Sequence, residues 1–314
     1  MKVFVTKKIP EIGINYLKER GFEVNVREEE GIIPDNQLIE ALKKYDGIIS
    51  MLSDNLSKEV LKHAEKTRVI SNYAVGYNNI DVEYAREKGI IVTNTPDVLT
   101  YATAELAFGL MLSASRRIVE GDRFTREGKF KGWEPLLFLG KTLDNATVGI
   151  VGMGRIGQKF AEMLSGFNVK IIYYSKTKKD LPYKFVDFET LLKESDLISL
   201  HLPLTKESKH MFTENEFEKM KDGVVFINTA RGAIVKESDL IKALKKGKIA
   251  FAGLDVYEFE PEISDELKKM QNVVILPHIG SATEKARNDM SMLVAKNIEA
   301  VLRGGKAITP VNQV

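Results

Sequence analysis

Short β-branched runs alternate with segments of helical period from one end of the chain to the other. Residues 2–6 read as a strand, and Pro10 then opens a helix that stops at Gly21. Residues 22–26, 47–50 and 68–72 are further strands, with polar helices between them. Such alternation predicts parallel sheets covered by helices on both faces. Near residues 94–97 the pattern breaks. Pro96 closes the strand 90–92, and Asp97 is placed to cap a long apolar helix through Ala104, Leu106, Leu110 and Met111. A second alternating series starts at Ala146, and a final helix over 283–302 follows a strand at 273–276. That helix is expected to return to the first domain. The expected fold class is therefore α/β: two Rossmann-like parallel-sheet domains with an interdomain cleft, one of residues 1–98 plus 285–314 and one of 99–284.

The sharpest local signal lies in the second series. An apolar strand runs from Thr147 straight into Gly152-Met153-Gly154-Arg155-Ile156-Gly157, and a helix follows with Ile156, Phe160 and Leu164 on one face. Gly152 permits the tight turn, Gly154 lets the backbone approach a pyrophosphate, and Gly157 lets helix pack on strand. The helix N-terminus presents free N–H groups and partial positive charge to the diphosphate. Strand, glycines, helix and the next strand at 169–174 all fall where a dinucleotide site requires them. The 99–284 domain is thus read as the cofactor domain, and the discontinuous, flavodoxin-like one as substrate-binding.

The end of the strand at 169–174 should meet the adenosine ribose. A carboxylate there would accept the ribose hydroxyls and repel a 2′-phosphate. The chain has Ser175-Lys176-Thr177-Lys178-Lys179 instead, a hydroxyl followed by cations that suits a phosphate dianion. NADP(H) is favoured. A solvated lysine turn that accepts NAD(H) equally well is the competing reading.

Three more strand ends carry chemistry. Residues 224–227 lead into Asn228-Thr229-Ala230-Arg231, 251–254 into Asp255 and onward to Glu258 and Glu260, and 273–276 into Pro277-His278-Ile279-Gly280. Ligands collect beyond the carboxyl ends of strands in an open parallel sheet. Reduction of a 2-oxo acid needs a cation for its carboxylate and a proton donor for the developing alkoxide. Arg231 is the rigid, always-charged fork. His278 gives the proton, and takes it back in the oxidative direction. Glu260 would hydrogen-bond the other ring nitrogen, fix the tautomer and favour the protonated form. Each residue alone is more economically a loop cap, a solvated charge or a core histidine. The three together behind a dinucleotide turn reverse that judgment.

With these residues the chain resembles the D-isomer-specific 2-hydroxyacid dehydrogenases over nearly its whole length, from Asn72-Tyr73-Ala74-Val75-Gly76-Tyr77 to the His278 segment. The resemblance implies an Arg–Glu–His site between the two domains. It also implies substrate carboxylate binding by the backbone of Val75 and Gly76, and cofactor contacts from Thr103 and Asp255. Thr229, Ala230 and Gly280, in the loops that carry Arg231 and His278, join the expected cofactor contacts. Formate dehydrogenases of this superfamily carry Gln where this chain has Glu260, which argues against that member. Within the family the glycine turn, the 173–178 segment and the stretch from Gly132 to Gly140 look most like glyoxylate/hydroxypyruvate reductases. Trp133 then either reaches the partner subunit's substrate site or packs at the interface of a homodimer joined through the cofactor domains. The runners-up are a phosphoglycerate-type or broad D-2-hydroxyacid dehydrogenase and, from another class, a dinucleotide-sensing co-regulator.

Composition narrows the picture further. The net charge of +2 gives no case for a nucleic-acid partner. The absence of cysteine removes disulfides, thiolate metal sites and a cysteine nucleophile. No spacing of Asp, Glu or His argues for a metal. No segment approaches the roughly 20 apolar residues that cross a bilayer, and no secretory leader is apparent. A soluble, cytoplasmic protein is expected. Among the other histidines, His63 and His210 are assigned to polar helices and His201 to a structural position at a strand end.

Overall fold

The computed structural model describes residues 1–312. The chain forms two compact units, Met1–Leu99 with the segment from Ser281 onward, and Thr100–Gly280. In the first unit the elements run β1 (Lys2–Val5), α1 (Glu11–Glu19), β2 (Glu23–Val26), α2 (Asp35–Lys44), β3 (Gly47–Ser50), α3 (Lys58–Leu61), β4 (Val69–Asn72), α4 (Val82–Glu87) and β5 (Ile91–Thr93). The second unit contains α5 (Thr100–Ser115), α6 (Ile118–Arg126), β6 (Thr147–Val151), α7 (Arg155–Met163), β7 (Lys170–Tyr174), β8 (Lys184–Phe185), α8 (Phe188–Glu194), β9 (Leu197–Leu200), α9 (Glu214–Lys219), β10 (Val224–Asn228), α10 (Glu237–Lys245), β11 (Ile249–Leu254), α11 (Asp265–Lys269) and β12 (Val273–Ile275). The last helix, α12 (Glu284–Leu302), belongs to the first unit.

Both sheets are parallel throughout. The first has the order β2-β1-β3-β4-β5 and the second β12-β11-β10-β9-β6-β7-β8. The first order is that of a flavodoxin-like sheet. The second is that of a dinucleotide-binding sheet, with its switch point between β6 and β9. The central strands β3, β4, β9 and β10 are buried at every position, as strands covered on both faces must be. Along β10, Val224 and Phe226 enter one core with Phe212 and Phe217, while Val225 and Ile227 enter another with Phe160 and Tyr173. The period of two thus feeds two apolar layers from one strand. Burying a side chain of the size of Phe226 contributes roughly 1.5–3 kcal/mol.

In the first unit α12 lies along α1, where Ser291 Oγ accepts from the Gly13 N–H at 3.1 Å and donates to Pro10 O at 2.6 Å. Thr283 caps α12, its side chain accepting from Ala286 N. Two details depart from the reading by pattern. The apolar helix α5 opens at Thr100, so Asp97 lies ahead of the cap position, with φ of +70°. His210 sits in a turn with φ of +51° rather than in a helix, because its N–H pairs with Ala233 O, a contact distant in sequence. No described helix is long and apolar enough to cross a membrane.

Candidate active site

The turn after β6 is built as its glycines demand. Gly152 has φ of +97°, where an L side chain is strained, and a Cβ there would stand 2.6 Å from the His201 carbonyl. A Cβ on Gly157 would stand 2.2 Å from Gly152 O, so only glycine lets α7 start this close to the turn. Gly154 is the N-cap of α7, and a Cβ on it would meet nothing within 4 Å. The helix N-terminus therefore opens onto free space that a diphosphate can fill. Met153 is buried beneath the turn, Ile156 packs on the core, and Arg155 is the exposed first residue of α7.

Beyond β7 the turn is tied by Ser175, whose hydroxyl donates to Thr177 O at 2.7 Å, and by Tyr173 Oη, which accepts from Lys179 N at 2.8 Å. Lys176 and Thr177 are exposed, and Lys176 Nζ lies 3.7 Å from a Glu207 carboxylate oxygen.

The ends of β10, β11 and β12 bring three side chains into one neighbourhood of the second unit. His278 Nδ1 lies 2.8 Å from Glu260 Oε2, and Glu260 Oε1 accepts from Tyr257 N at 3.0 Å. Burial pushes the Glu260 carboxyl up. The bond and charge of His278, the Tyr257 N–H and the charge of Arg231 outweigh that push and hold it below the usual carboxylate range. Burial draws Arg231 below the ordinary guanidinium value, against the opposing pull of Glu260. Such a group stays charged at any physiological pH. With Nδ1 donating to the carboxylate, Nε2 is the ring nitrogen left for a ligand. His278 itself has φ of +54°, a left-handed conformation rare outside glycine, held by the loop around it.

That loop hangs on Asp255. Its two oxygens accept from Ile279 N and Gly280 N, each at 2.7 Å, and the residue is almost wholly buried. Burial raises its carboxyl, while the two N–H bonds and the nearby His278 oppose the rise. Gly280 packs against Thr103 of α5, whose Cγ2 would stand 3.4 Å from a Cβ at position 280. On the Arg231 side, Asn228 braces the loop: its Oδ1 accepts from Ala230 N and its Nδ2 donates to Arg231 O, both at 3.0 Å. Arg231 Nη1 donates to Ala230 O at 2.6 Å. Thr229 is buried with its hydroxyl unpartnered within the protein, a polar atom that calls for a ligand.

In the first unit, the Val75–Gly76 loop is pinned by its carbonyls. Ala74 O accepts from Thr95 N at 2.9 Å, Val75 O from Asn94 Nδ2 at 2.8 Å and Gly76 O from Asn72 Nδ2 at 2.8 Å. In a trans peptide the N–H points opposite the carbonyl it follows, so the Val75 and Gly76 N–H groups face away from these partners. Trp133 stands 84% exposed in the irregular segment after α6, with Phe130, Leu136 and Leu139 exposed beside it in sequence.

Residues 108–280 match the family model described as D-isomer specific 2-hydroxyacid dehydrogenase, NAD binding domain. The chain belongs to the D-isomer-specific 2-hydroxyacid dehydrogenases. A glyoxylate reductase from Thermococcus litoralis is 52% identical over 96% of this dehydrogenase and 94% of its own length. A solved structure from Thermus thermophilus matches with a TM-score of 0.95 at 42% identity, covering 99% of this chain and 100% of that one. The NADPH-dependent glyoxylate/hydroxypyruvate reductase from Sinorhizobium meliloti, solved with NADP and malonate, matches with a TM-score of 0.90 at 32% identity over 99% and 96% of the two chains.

As a member of this family the dehydrogenase binds a nicotinamide dinucleotide. The donors present fit one: an open helix N-terminus above Gly154 and an unsatisfied hydroxyl at Thr229. Reading the sequence missed Asn228, Tyr257, Asn72 and Asn94, which position the functional loops through backbone bonds. An asparagine closing a buried strand is the one local signal that pointed to such a brace.

Proposed function

We propose that this dehydrogenase reduces glyoxylate or hydroxypyruvate to the 2-hydroxy acid in the cytoplasm, with NADPH preferred to NADH. The observation that carries this is the His278–Glu260 pair at 2.8 Å, with the charge of the nearby Arg231 acting on the same carboxylate. The names of the relatives supply the substrate class. Arg231 takes the carboxylate and carbonyl oxygens of the oxo acid, and the N–H groups of Val75 and Gly76 take its carboxylate. His278 delivers a proton from Nε2 to the carbonyl oxygen as negative charge develops there, and Glu260 steadies the imidazolium. The bound dinucleotide supplies the hydride.

The cofactor is held at the diphosphate by Gly152, Met153, Gly154, Arg155, Ile156 and Gly157. Thr103, Thr229, Ala230, Asp255 and Gly280 lie toward its nicotinamide end. Ser175, Lys176 and Thr177 receive the 2′-phosphate. The exposed Lys176–Glu207 pair at 3.7 Å costs little to exchange for a phosphate contact. A second copy of the chain covers the apolar arm around Trp133, making a homodimer.

A kinetic matrix of glyoxylate, hydroxypyruvate, pyruvate and longer 2-oxo acids against NADPH and NADH tests this. The highest kcat/KM is expected for glyoxylate and hydroxypyruvate with NADPH. Lys176→Asp should cost NADPH affinity far more than NADH affinity, and equal losses would contradict the 2′-phosphate assignment. No turnover across the panel would favour the dinucleotide-sensing reading.

A further inference from the structure

A second cluster of ionisable groups sits directly behind the Arg231–Glu260–His278 set and takes no part in the chemistry above. Glu258 Oε1 lies 2.6 Å from His210 Nε2, and Glu258 Oε2 accepts from Glu237 N, at the start of α10, at 2.8 Å. In return Glu258 N donates to Glu237 Oε2 at 3.3 Å. The Glu258 side chain is only 9% exposed. A carboxylate with both oxygens engaged at that depth is fixed in place rather than solvated.

What it fixes is specific. The segment bearing His210 runs beside the segment that follows Arg231: His210 N pairs with Ala233 O, Phe212 N with Ile234 O, and Lys236 N with Phe212 O. Gly232, next to Arg231, lies flat against the Tyr257–Glu258 peptide. A Cβ there would fall 1.8 Å from Tyr257 C and O and 2.5 Å from Glu258 N. Two residues on, Glu260 folds back to the Tyr257 N–H and onward to His278. A single peptide thus touches the arginine loop on one side and leads to the carboxylate of the acid–base pair on the other. The Glu258 side chain bolts that peptide to both α10 and His210. Burial and the neighbouring Glu258 charge raise the Glu237 carboxyl, against the opposing Glu258 and Ser264 N–H groups.

We propose that Glu258 is a positioning residue for the reduction, its clamp between His210 and the Glu237 N–H setting where Arg231 stands relative to the Glu260–His278 pair. This rests on the assignment of Arg231, Glu260 and His278 given above. A misplacement of about 1 Å from a residue remote from the reacting atoms can cost on the order of 100-fold in rate. The dinucleotide turn at Gly152–Gly157 lies on another strand end and is not held by this clamp.

Glu258→Ala is therefore expected to lower kcat for glyoxylate with NADPH by about 10–100-fold, with the NADPH Kd unchanged. Loosening Glu260 also removes negative charge from beside His278, to which Asp255 is another neighbouring carboxylate. The high-pH midpoint of the reductive kcat/KM profile should then move to lower pH. Glu258→Gln keeps an oxygen for the Glu237 N–H and a polar partner for His210, so it should recover most of kcat and restore the midpoint. His210→Ala should act in the same direction as Glu258→Ala and more weakly. A folded Glu258→Ala enzyme with wild-type kcat and midpoint overturns the proposal. If that variant does not fold, an unchanged His210→Ala enzyme overturns it instead. His278→Ala, run in parallel, separates the two levels. Normal kcat there overturns the site assignment and this proposal with it, whereas an inactive His278→Ala beside an unaffected Glu258→Ala overturns the positioning role alone.

Discussion

His201 packs its ring against Phe160 of α7, with Nε2 2.8 Å from Ser199 Oγ and Nδ1 enclosed without a partner. Burial draws the ring down to about 3, from an ordinary value of 6.5. The unfolded chain takes up this proton more readily than the native one. The neutral ring therefore contributes stability that is complete above pH 6.5 and is lost as pH falls from there toward 3. Each pH unit in that window costs about 1.4 kcal/mol. Urea midpoints of the wild type should fall more steeply between about pH 6.5 and 4.5 than those of His201→Gln, which has no such proton to bind. Parallel curves would remove His201 from acid unfolding. At this scale the three side chains that the structure brings together were legible: an arginine, a glutamate and a histidine follow successive strands, and His278 pairs with Glu260. Their braces were not. Asn228 shows only as an asparagine closing β10, and Glu258 and His210 look like ordinary polar residues until the strands are aligned.

Among the elements, the β6–α7 turn offers the cleanest test. Replacing a helical glycine by alanine ordinarily stabilises by roughly 1 kcal/mol. At Gly157 the added Cβ would stand 2.2 Å from Gly152 O, which is backbone and cannot step aside. Overpacking of this kind costs about 1–3 kcal/mol. Gly157→Ala is expected to lower the urea midpoint and weaken dinucleotide binding together, as read by denaturation and by fluorescence titration of NADPH. A stabilised variant with wild-type affinity would contradict the close-approach argument. Strand positions were read well because buried parallel strands leave largely apolar runs, as over residues 224–227 of β10. Ends were read less well. The opening of α5 at Thr100 and the turn at His210 depend on contacts outside the local pattern.

On the scale of the whole molecule, the one tryptophan is a reporter placed by the chain itself. Trp133 is 84% exposed within the single chain, and Phe130, Leu136 and Leu139 leave further apolar surface uncovered. A second copy over this arm would dry the indole. Its emission is expected to move to shorter wavelength as protein concentration rises, in step with dimer mass by sedimentation. Concentration-independent emission from a monomer would remove the proposed homodimer. The division into units falls at 99/100 and 280/281, and α12 joins the first unit through α1 and the Gly13–Ser291 bond.

The linear chain determined the class of architecture, since runs of period two and 3.6 in alternation have few ways to bury their apolar faces. It also determined the glycine turn, whose steric demands are local, and the kind of chemistry available. Tertiary structure alone decided which polar groups meet. His210 and Glu258 are 48 positions apart, and Glu237 and Glu258 are 21 apart. Such pairs form only once strand order brings their loops together beyond the carboxyl ends of neighbouring strands, a long-range outcome that no local pattern encodes.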